Sequence, residues 1–499
     1  MLAGMTLDRR AFLKLGSLAA LEAGVPGWVR ARPATVSGRS ATDSGPADYT
    51  LHIGHALIEL APDHIVSTVV YNGRFPGPLL RFKEGRPVVV DIRNDTDTPE
   101  QLHWHGQFLD DSVDGAAEER TPFIPAHGMR REVFVPGPAG FRFYHTHVRA
   151  GADLSRGQYS GQVGPVYIEP KHDPGAYDRE VFLTLKEFDP FFSEGGDTPL
   201  DFQSPSTADP QLQARGEQAM RVSLALGSHK GYEVGYQAFA INGRMLGAGE
   251  PLRVRRGERV LLHVLNGSAT EIRSLALPGH SFQVVALDGN PVPRPARVPV
   301  LWLGTAERVS AVVEMDHPGI WILGDLDDDD RERGMGLVVE YAGATGKPAW
   351  QKPPPFRWDY RHFAEPGARA SRAPDDTIDL LIAKDNAAAH GFNRWTINGV
   401  AYDNVSMPTT RTLQLGRRYR LRMRNASDDI HPMHLHRHIF EITSIAGQPT
   451  AGVRKDVVML GGYQTMEVDF TADRPGLSLL HCHMQLHMDY GFMALFDCV

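Results

Sequence analysis

The stretch Pro475-Gly476-Leu477-Ser478-Leu479-Leu480-His481-Cys482-His483 joins a strand signature to an unusual ending. A glycine precedes an apolar run, which predicts a β-strand, and the run ends in a thiol between two imidazoles. Neighbouring side chains on a strand point to opposite faces, so His481 and His483 share one face and Cys482 takes the other. A third imidazole, His487, follows four residues later. One short segment could therefore hold two different metal centres and join them covalently.

Stretches of this kind occur three times along the chain, ending in the triplets that begin at His145, Gly324 and His481. Each is preceded by two further signatures, at a spacing of roughly 155 to 180 residues. Short β-branched runs between turn residues are typical of β-sandwiches, and a fixed order of signatures indicates internal repeats. We therefore predict an all-β chain made of three copies of one β-sandwich. The signatures are the Asn-Gly turns at Asn72, Asn242 and Asn398, and the strand-ending asparagines Asn94, Asn266 and Asn425.

The repeats set the expected domain boundaries. We expect domains at residues 46–172, 173–345 and 375–499, with a Gly- and Pro-rich linker at 346–374. Residues 1–45 form a leader, because Asp8-Arg9-Arg10-Ala11-Phe12-Leu13-Lys14 resembles a twin-arginine export signal. Such a signal implies a bacterial periplasm or the cell exterior.

Composition excludes some classes of protein. The 499 residues carry a net charge of -8, which argues against a nucleic-acid partner because phosphate binding needs a basic face. After the leader there is no apolar stretch of transmembrane length, so we expect no membrane span. The chain has two cysteines, Cys482 and Cys498. If Cys482 binds a metal, no intrachain disulfide can form.

Four His-x-His pairs lie at matched positions of the first and third repeats. The ninth residue after the strand-ending asparagine is His103 in the first repeat and His434 in the third, but Leu275 in the middle one. The middle repeat also has Asp325 in place of Cys482, so we expect it to serve in spacing and packing. Each pair places two imidazoles on one face of an extended segment. The pairs are His103-Trp104-His105, His145-Thr146-His147, His434-Leu435-His436 and His481-Cys482-His483.

A second set of donors remains after these pairs, namely His431, Cys482 and His487. Two histidines, one cysteine and a weak or absent axial ligand are typical of blue copper sites, although imidazole and thiolate also suit zinc. A structural zinc ion takes four ligands, often from paired cysteines, and eight clustered imidazoles exceed that need. A soft cysteine beside an imidazole-only cluster favours copper.

With these motifs the chain resembles a three-domain multicopper oxidase of the laccase type. The resemblance rests on His-Cys-His-x₃-His-x₃-Gly, from His481 to Gly491, and on His431-Pro432-Met433-His434-Leu435-His436. It covers the whole chain after the leader. It implies three consecutive cupredoxin-like Greek-key β-sandwich domains, four copper ions, and a trinuclear site between the first and third domains.

The resemblance also implies a role for each motif residue. The type 1 copper would be bound by His431, Cys482 and His487, with electrons entering through an exposed edge of His487 and leaving through Cys482. Dioxygen would be reduced to water at the trinuclear site, where Asp114 would deliver protons; the alternative for Asp114 is a turn residue. The type 2 copper would take His103 and His434, one type 3 copper His105, His145 and His483, and the other His147, His436 and His481.

The resemblance implies that the axial position of the type 1 site is ten residues after the cysteine, where this chain has Phe492. A side chain that does not bind copper raises the reduction potential of such a site. The alternative is that the next residue, Met493, swings in as a ligand, although on a strand it would point away. Phe492 therefore predicts a strongly oxidising centre.

Three functions compete. The first is a laccase-like enzyme that oxidises phenols or aromatic amines with dioxygen, acting as a monomer. The second is a periplasmic oxidase of Cu(I) or Fe(II) in copper resistance, which needs acidic or methionine donors leading to His487. The third is a non-catalytic copper-binding protein. The chain carries all eleven ligand positions that the resemblance requires, which favours an enzyme.

Overall fold

A computed structural model of the chain describes residues 45–171, 175–193, 208–227, 230–367, 370 and 372–499. Their strands form six sheets, which follow one another along the chain in three pairs. The all-β prediction is confirmed. The proposed export signal lies outside the described residues. Among the helices of the described ranges, none has the length and apolarity needed to cross a membrane.

The first pair of sheets contains eight strands, in the orders β2-β1-β4-β6 and β3-β8-β7-β5. Two short 3₁₀ turns, Ala117–Glu119 and Gly157–Tyr159, interrupt the loops around it. The strands are β1 (Tyr49–Ala61), β2 (His64–Tyr71), β3 (Leu80–Lys83), β4 (Val88–Asn94), β5 (His103–His105), β6 (Met129–Phe134), β7 (Gly140–His145) and β8 (Val163–Glu169).

The second pair is larger, with the orders β10-β9-β12-β17-β14-β15 and β11-β19-β18-β13-β16. It includes the helices α1 (Pro210–Ala225) and α2 (Asp328–Glu332). The strands are β9 (Arg179–Ser193), β10 (Glu233–Ile241), β11 (Leu252–Val254), β12 (Arg259–Asn266), β13 (Arg273–Ala276), β14 (Phe282–Leu287), β15 (Asn290–Val298), β16 (Val300–Leu303), β17 (Arg308–Glu314), β18 (Ile320–Gly324) and β19 (Gly336–Tyr341).

The third pair has the orders β21-β20-β23-β29-β25-β26, with β27 on β25, and β22-β31-β30-β24-β28. A 3₁₀ turn, Tyr360–Phe363, precedes it, and the helix α3 (Gln485–Asp489) lies near its end. The strands are β20 (Asp376–Ala389), β21 (Phe392–Ile397), β22 (Arg411–Leu413), β23 (Arg418–Asn425), β24 (His431–Leu435), β25 (Phe440–Ile445), β26 (Gln448–Pro449), β27 (Arg454–Lys455), β28 (Val457–Leu460), β29 (Thr465–Thr471), β30 (Gly476–Cys482) and β31 (Met493–Cys498).

The three pairs share one strand pattern. In each, the first strand pairs antiparallel with the second and parallel with the fourth: β1 with β4, β9 with β12, and β20 with β23. Each second strand ends in an Asn-Gly turn that closes a short antiparallel bridge, as between Tyr71 and Arg74. The turn asparagines Asn72, Asn242 and Asn398 have φ of 53°, 53° and 54°. Left-handed turn residues match the twist of a β-hairpin, and asparagine and glycine tolerate them best.

The second feature that recurs in all three sandwiches is the buried asparagine at the end of the fourth strand. Asn94, Asn266 and Asn425 are each fully buried. In each case the side-chain amide donates to at least two main-chain carbonyl groups, as Asn425 does to Asp429 at 2.7 Å and to Gly461 at 3.0 Å. The amide satisfies backbone acceptors that would otherwise be buried without a partner. In the third repeat this bond closes the loop directly before His431.

The segment that we interpreted as a linker is packed rather than extended. Trp358 and Phe363 are 1% and 0% exposed. The Tyr360 hydroxyl donates to Glu307 of the second sandwich at 2.6 Å and accepts from Met459 of the third at 3.1 Å. One continuous cluster of buried apolar side chains consequently runs from the second sandwich into the third.

Helix α1 is absent from the sequence-based predictions. Asp209 caps it, since its carboxylate accepts from the Gln211 amide at 2.8 Å, and Pro210 occupies the first turn. The helix packs on the third sandwich where Gly216 faces the carbonyl of Ala426. The Asp-Pro start was the signal that could have located it.

Candidate copper centres

Eight imidazoles meet between the first and third sandwiches. Strand β5 carries one His-x-His pair and pairs with β7, which places His103 opposite His145. Strand β24 pairs with β30 and places His434 opposite His481. The two halves touch closely, since the His105 and His434 rings stack with centroids 3.8 Å apart. All eight are 2% exposed or less: His103, His105, His145, His147, His434, His436, His481 and His483.

Four of these rings are held in orientation by a hydrogen bond from the Nδ1 atom, which points away from the centre of the cluster, to a main-chain carbonyl oxygen. The Nδ1 atoms of His103 and His434 donate to the carbonyl oxygens of Asp114 and Asp456, both at 2.8 Å. His145 and His481 use Nδ1 in the same way, at 2.8 and 2.9 Å from carbonyl oxygens of the next residue. A neutral imidazole that donates through Nδ1 presents Nε2 as a free donor atom for a metal.

Several inward-facing nitrogens have no hydrogen-bond partner, although they are buried. They include Nε2 of His103 and His434, and both nitrogens of His147 and His483. A buried polar atom without a partner costs about 1–3 kcal/mol, so this many in one place require an explanation. Metal ions bound by the nitrogens would satisfy them together, and an all-imidazole donor set suits copper. The residues therefore fit the metal that the motifs imply.

The protonation state of the cluster also suits metal binding. Burial, followed by repulsion between neighbouring rings, lowers the pKa of His105, His147, His436 and His483 well below the usual value. Burial lowers the pKa of His481 to about 3. Only the neutral ring can bind a metal, so ligands kept neutral do not have to lose a proton first.

The second centre lies on the other face of β30. The Cys482 sulfur is 3.8 Å from Nδ1 of His431 and 3.5 Å from Nδ1 of His487. His431 is on β24, Cys482 ends β30, and His487 is on helix α3. Ser427 lies 3.0 Å from Nε2 of His431 and keeps Nδ1 directed at the sulfur. Two imidazoles and a thiol thus converge on one point.

Phe492 borders this second centre. Its ring centroid lies 4.8 Å from that of His431 and 6.5 Å from that of His487. Met493, the alternative axial donor, is paired with His481 on β31 and packs in a separate apolar cluster with Leu479 and Leu495. The surroundings of the thiol are therefore apolar on the side where an axial ligand would bind.

The expected exposed edge of His487 is not observed, since the residue is 4% exposed. The Trp395 ring lies 4.3 Å from it, centroid to centroid. Trp395 comes from β21, far from His487 in sequence, so spacing along the chain did not predict this cover. Burial lowers the pKa of His487 to about 4, which keeps the ring neutral.

Asp114, the predicted proton donor, is fully buried beside the eight-histidine cluster. Its Oδ2 is 3.0 Å from Nδ1 of both His103 and His436. Burial alone would raise the pKa of Asp114, but the facing His103 and a hydrogen bond from Glu119 lower it overall. Burial and the charge of Asp114 raise the pKa of Glu119 well above its usual value. The two pKa shifts are opposite in direction, so Glu119 holds a proton more readily than Asp114 does.

Three acidic residues at this site were missed by the sequence analysis. Glu119 lies 3.3 Å from Nδ1 of His436, and Glu118 lies 3.7 Å from Nδ1 of His147. Both follow Asp114 closely, so adjacency to a candidate proton donor was the available signal. Asp456 contacts His105 at 3.1 Å and has no local motif.

Comparison with known proteins agrees with these two centres. Three family models described as multicopper oxidase match residues 56–173, 211–330 and 373–498. "Multicopper oxidase MmcO" of Mycobacterium tuberculosis is 29% identical, over 87% of this chain and 84% of that protein. "Laccase-4" of Thanatephorus cucumeris is 25% identical, over 86% and 85%.

Solved structures show the same fold. The multicopper oxidase of Pseudomonas thermotolerans superposes with a TM-score of 0.66 at 24% identity, over 91% of this chain and 100% of that one. Each of the three family models lies on a different pair of sheets. Taken with the histidine cluster and the cysteine site, these matches identify the chain as a member of the multicopper oxidase family, a copper-dependent oxidoreductase with four copper ions.

Proposed function

We propose that the chain is a laccase-like oxidase, in which the oxidation of phenols or aromatic amines at a type 1 copper is coupled to the reduction of dioxygen to water. Bound copper would supply one-electron acceptance at the first site and four-electron reduction of dioxygen at the second. The type 1 ligands are His431, Cys482 and His487. The trinuclear ligands are His103 and His434 for type 2, His105, His145 and His483 for one type 3 ion, and His147, His436 and His481 for the other.

A single observation carries this proposal: Cys482 faces one donor set while its two neighbours in sequence, His481 and His483, face the other. The sulfur lies within 3.8 Å of His431 and His487. The path between the sites is then a few covalent bonds in one strand, shortened by the hydrogen bond from His481 Nδ1 to the Cys482 carbonyl at 2.9 Å. The chain thus supplies a fixed connection between electron uptake and dioxygen reduction.

The surroundings of His487 favour an aromatic electron donor. Beyond Trp395, Tyr490 stacks on Phe392 with ring centroids 4.5 Å apart. Phe392 also contacts Phe192 and Tyr232, each at 5.3 Å, and both are 37% exposed. Aromatic faces and edges stack favourably with a flat aromatic substrate.

Metal ions are the less favoured substrates. Asp428 and Asp429 are the acidic groups near His487, and both are paired with Lys384, at 2.9 and 2.5 Å. A carboxylate neutralised by an ammonium group attracts a cation weakly. A dedicated Cu(I) or Fe(II) oxidase needs free donors at this position.

Proton supply falls to Asp114 and Glu119. Their carboxyl groups lie within 3.3 Å of His436, and burial beside Asp114 raises the pKa of Glu119, so Glu119 holds its proton. Reduction of dioxygen to water consumes protons as well as electrons, so a buried acid at this position delivers them where water has limited access.

We propose in addition that residues 1–45 direct export by the twin-arginine route to the periplasm or exterior. The domains then extend over 46–172, 173–345 and 375–499, joined by 346–374, in a monomer. Determination of the N-terminus of the exported protein tests the leader, and ultracentrifugation tests the oligomeric state. An intact N-terminus on the exported protein contradicts cleavage of the leader.

Oxygen consumption by the copper-loaded protein tests the function. We expect uptake with phenols and aromatic amines to exceed uptake with Fe(II) and Cu(I), because the entry surface is aromatic and its carboxylates are neutralised. Faster turnover of either metal ion would favour the metal-oxidase alternative. A colourless copper-loaded protein without oxygen uptake would refute an oxidase of either kind.

Replacing Phe492 by methionine is expected to lower the reduction potential of the type 1 site. A thioether at the axial position binds copper weakly and stabilises its oxidised form. A redox titration followed by the blue absorption measures the shift. Phe492→Leu is the matched control, since leucine offers no ligand and should leave the potential close to that of the wild type. Equal potentials in the methionine and wild-type proteins would show that Phe492 is not axial.

A further inference from the structure

The middle domain, which lacks copper ligands at the motif positions, reaches the trinuclear site through one arginine. Arg308 begins β17 and makes two parallel hydrogen bonds to Asp456, from Nη1 to Oδ1 at 2.7 Å and from Nη2 to Oδ2 at 2.6 Å. Both side chains are fully buried. A planar guanidinium bonded through both arms fixes the position and the rotation of a carboxylate, which a lysine cannot do.

Asp456 in turn contacts two of the eight histidines. Its Oδ1 accepts from Nε2 of His105 at 3.1 Å, and its main-chain carbonyl accepts from Nδ1 of His434 at 2.8 Å. The opposite nitrogens face the cluster instead: Nδ1 of His105 lies 3.4 Å from Nε2 of His145, and Nε2 of His434 has no hydrogen-bond partner. A nitrogen that donates to oxygen does not bind a metal, so Asp456 decides which atom of each ring is the ligand.

We infer that Asp456, held by Arg308 of the middle domain, is a positioning residue for the trinuclear copper site. It selects opposite nitrogens in two rings, Nδ1 in His105 and Nε2 in His434, which the proposed function assigns to different copper ions. The inference rests on that proposed function. It gives the middle domain a part in copper binding beyond spacing and packing.

The contacts around the pair involve all three sandwiches. Arg142 of the first donates to Asp456 Oδ2 at 3.3 Å, and Asp288 of the second accepts from the Arg308 amide at 2.9 Å. Lys455 of the third lies 2.9 Å from Asp288. Buried charges are retained only when they are paired and hydrogen-bonded, and this network fulfils that condition. Relative displacement of the domains would therefore disturb the orientation of His105.

The variant Asp456→Asn tests the inference. An amide cannot accept hydrogen bonds on both of its arms, so either Arg308 or His105 loses its partner. We expect trinuclear copper to be bound about 10- to 100-fold more weakly, the usual effect of removing an outer-shell partner. The blue absorption of the type 1 site should remain. Copper per chain and the electron paramagnetic resonance signal of type 2 copper are measured on the same sample.

Asp325→Asn is the matched control. Asp325 is also a buried carboxylate, accepts from Ser274 Oγ at 2.7 Å, lies 3.9 Å from Arg273, and is remote from the histidines. This variant should keep all its copper and a wild-type spectrum, even if it melts at a lower temperature. Loss of copper from both variants alike would reduce the role of Asp456 to general stability and overturn the inference.

Arg308→Lys tests the part played by the middle domain and replaces the first test if Asp456→Asn does not fold. A lysine retains the charge but not the two-armed bond, so we expect a smaller loss of trinuclear copper with the same altered type 2 signal. Full copper and a wild-type signal in this variant, or in Asp456→Asn, would overturn the inference. A wild-type protein that binds no copper would instead overturn the proposed function.

Discussion

Replacing Cys482 by serine is expected to remove the blue colour and to reduce substrate oxidation to the background rate. The thiol converges with His431 and His487 within 3.8 Å, and a serine hydroxyl is a poor ligand for copper at a site of this type. Cys482 also ends β30, the strand that connects the two centres. One copper ion should be lost, while the ions of the eight-histidine cluster are retained.

The structure offers a matched control for this prediction in the second cysteine. Cys498 is likewise buried and free, and it ends β31, the neighbour of β30. Cys498→Ser should keep both the colour and the activity. Absorption spectra, copper analysis and oxygen uptake on the two variants distinguish the outcomes. Persistent blue colour in Cys482→Ser would place the type 1 site elsewhere.

Replacing Asp114 by asparagine is expected to slow dioxygen reduction by about 10²- to 10⁴-fold, the usual contribution of a positioned acid or base. Asparagine retains the shape of the side chain but cannot take up or release a proton. Uptake of electrons at the distant cysteine site should continue. Substrate added without oxygen should therefore still bleach the blue colour at the wild-type rate, while steady-state oxygen uptake falls.

Asp111→Asn serves as the control for this effect. Asp111 lies in the same loop and accepts from the Leu477 amide at 3.1 Å, but it does not contact the histidines. It should retain wild-type turnover. Glu119→Gln should resemble Asp114→Asn, because it removes the acid whose raised pKa keeps a proton beside Asp114. Unchanged oxygen uptake in Asp114→Asn would show that protons arrive by another route.

The fold and the donor set could be read from the sequence because both depend on local geometry. Alternation along a strand separates Cys482 from His481 and His483, and a recurring Asn-Gly turn marks the end of the second strand in each repeat. Such patterns involve neighbouring residues and do not require knowledge of the tertiary arrangement.

The errors and omissions concern contacts between distant segments. Trp395 covers His487 from another strand and leaves it only 4% exposed, less than we expected. Asp456 and Arg308 come from different sandwiches and have no motif of their own. Helix α1 lies in an insertion between β9 and β10 where the repeat gives no guidance. In each case the deciding partner is more than 90 residues away or outside the repeat.

The second and third sandwiches share one apolar interior, so the chain cannot be separated into stable fragments between them. Because Trp358 and Phe363 close this interior from the segment between them, cutting the chain there would expose apolar surface on both fragments. In the intact protein the second and third sandwiches should therefore melt in one transition. The two fragments of a chain cut between them should be insoluble. The second sandwich has no copper ligands at the motif positions, but the third sandwich packs against it and depends on it for stability.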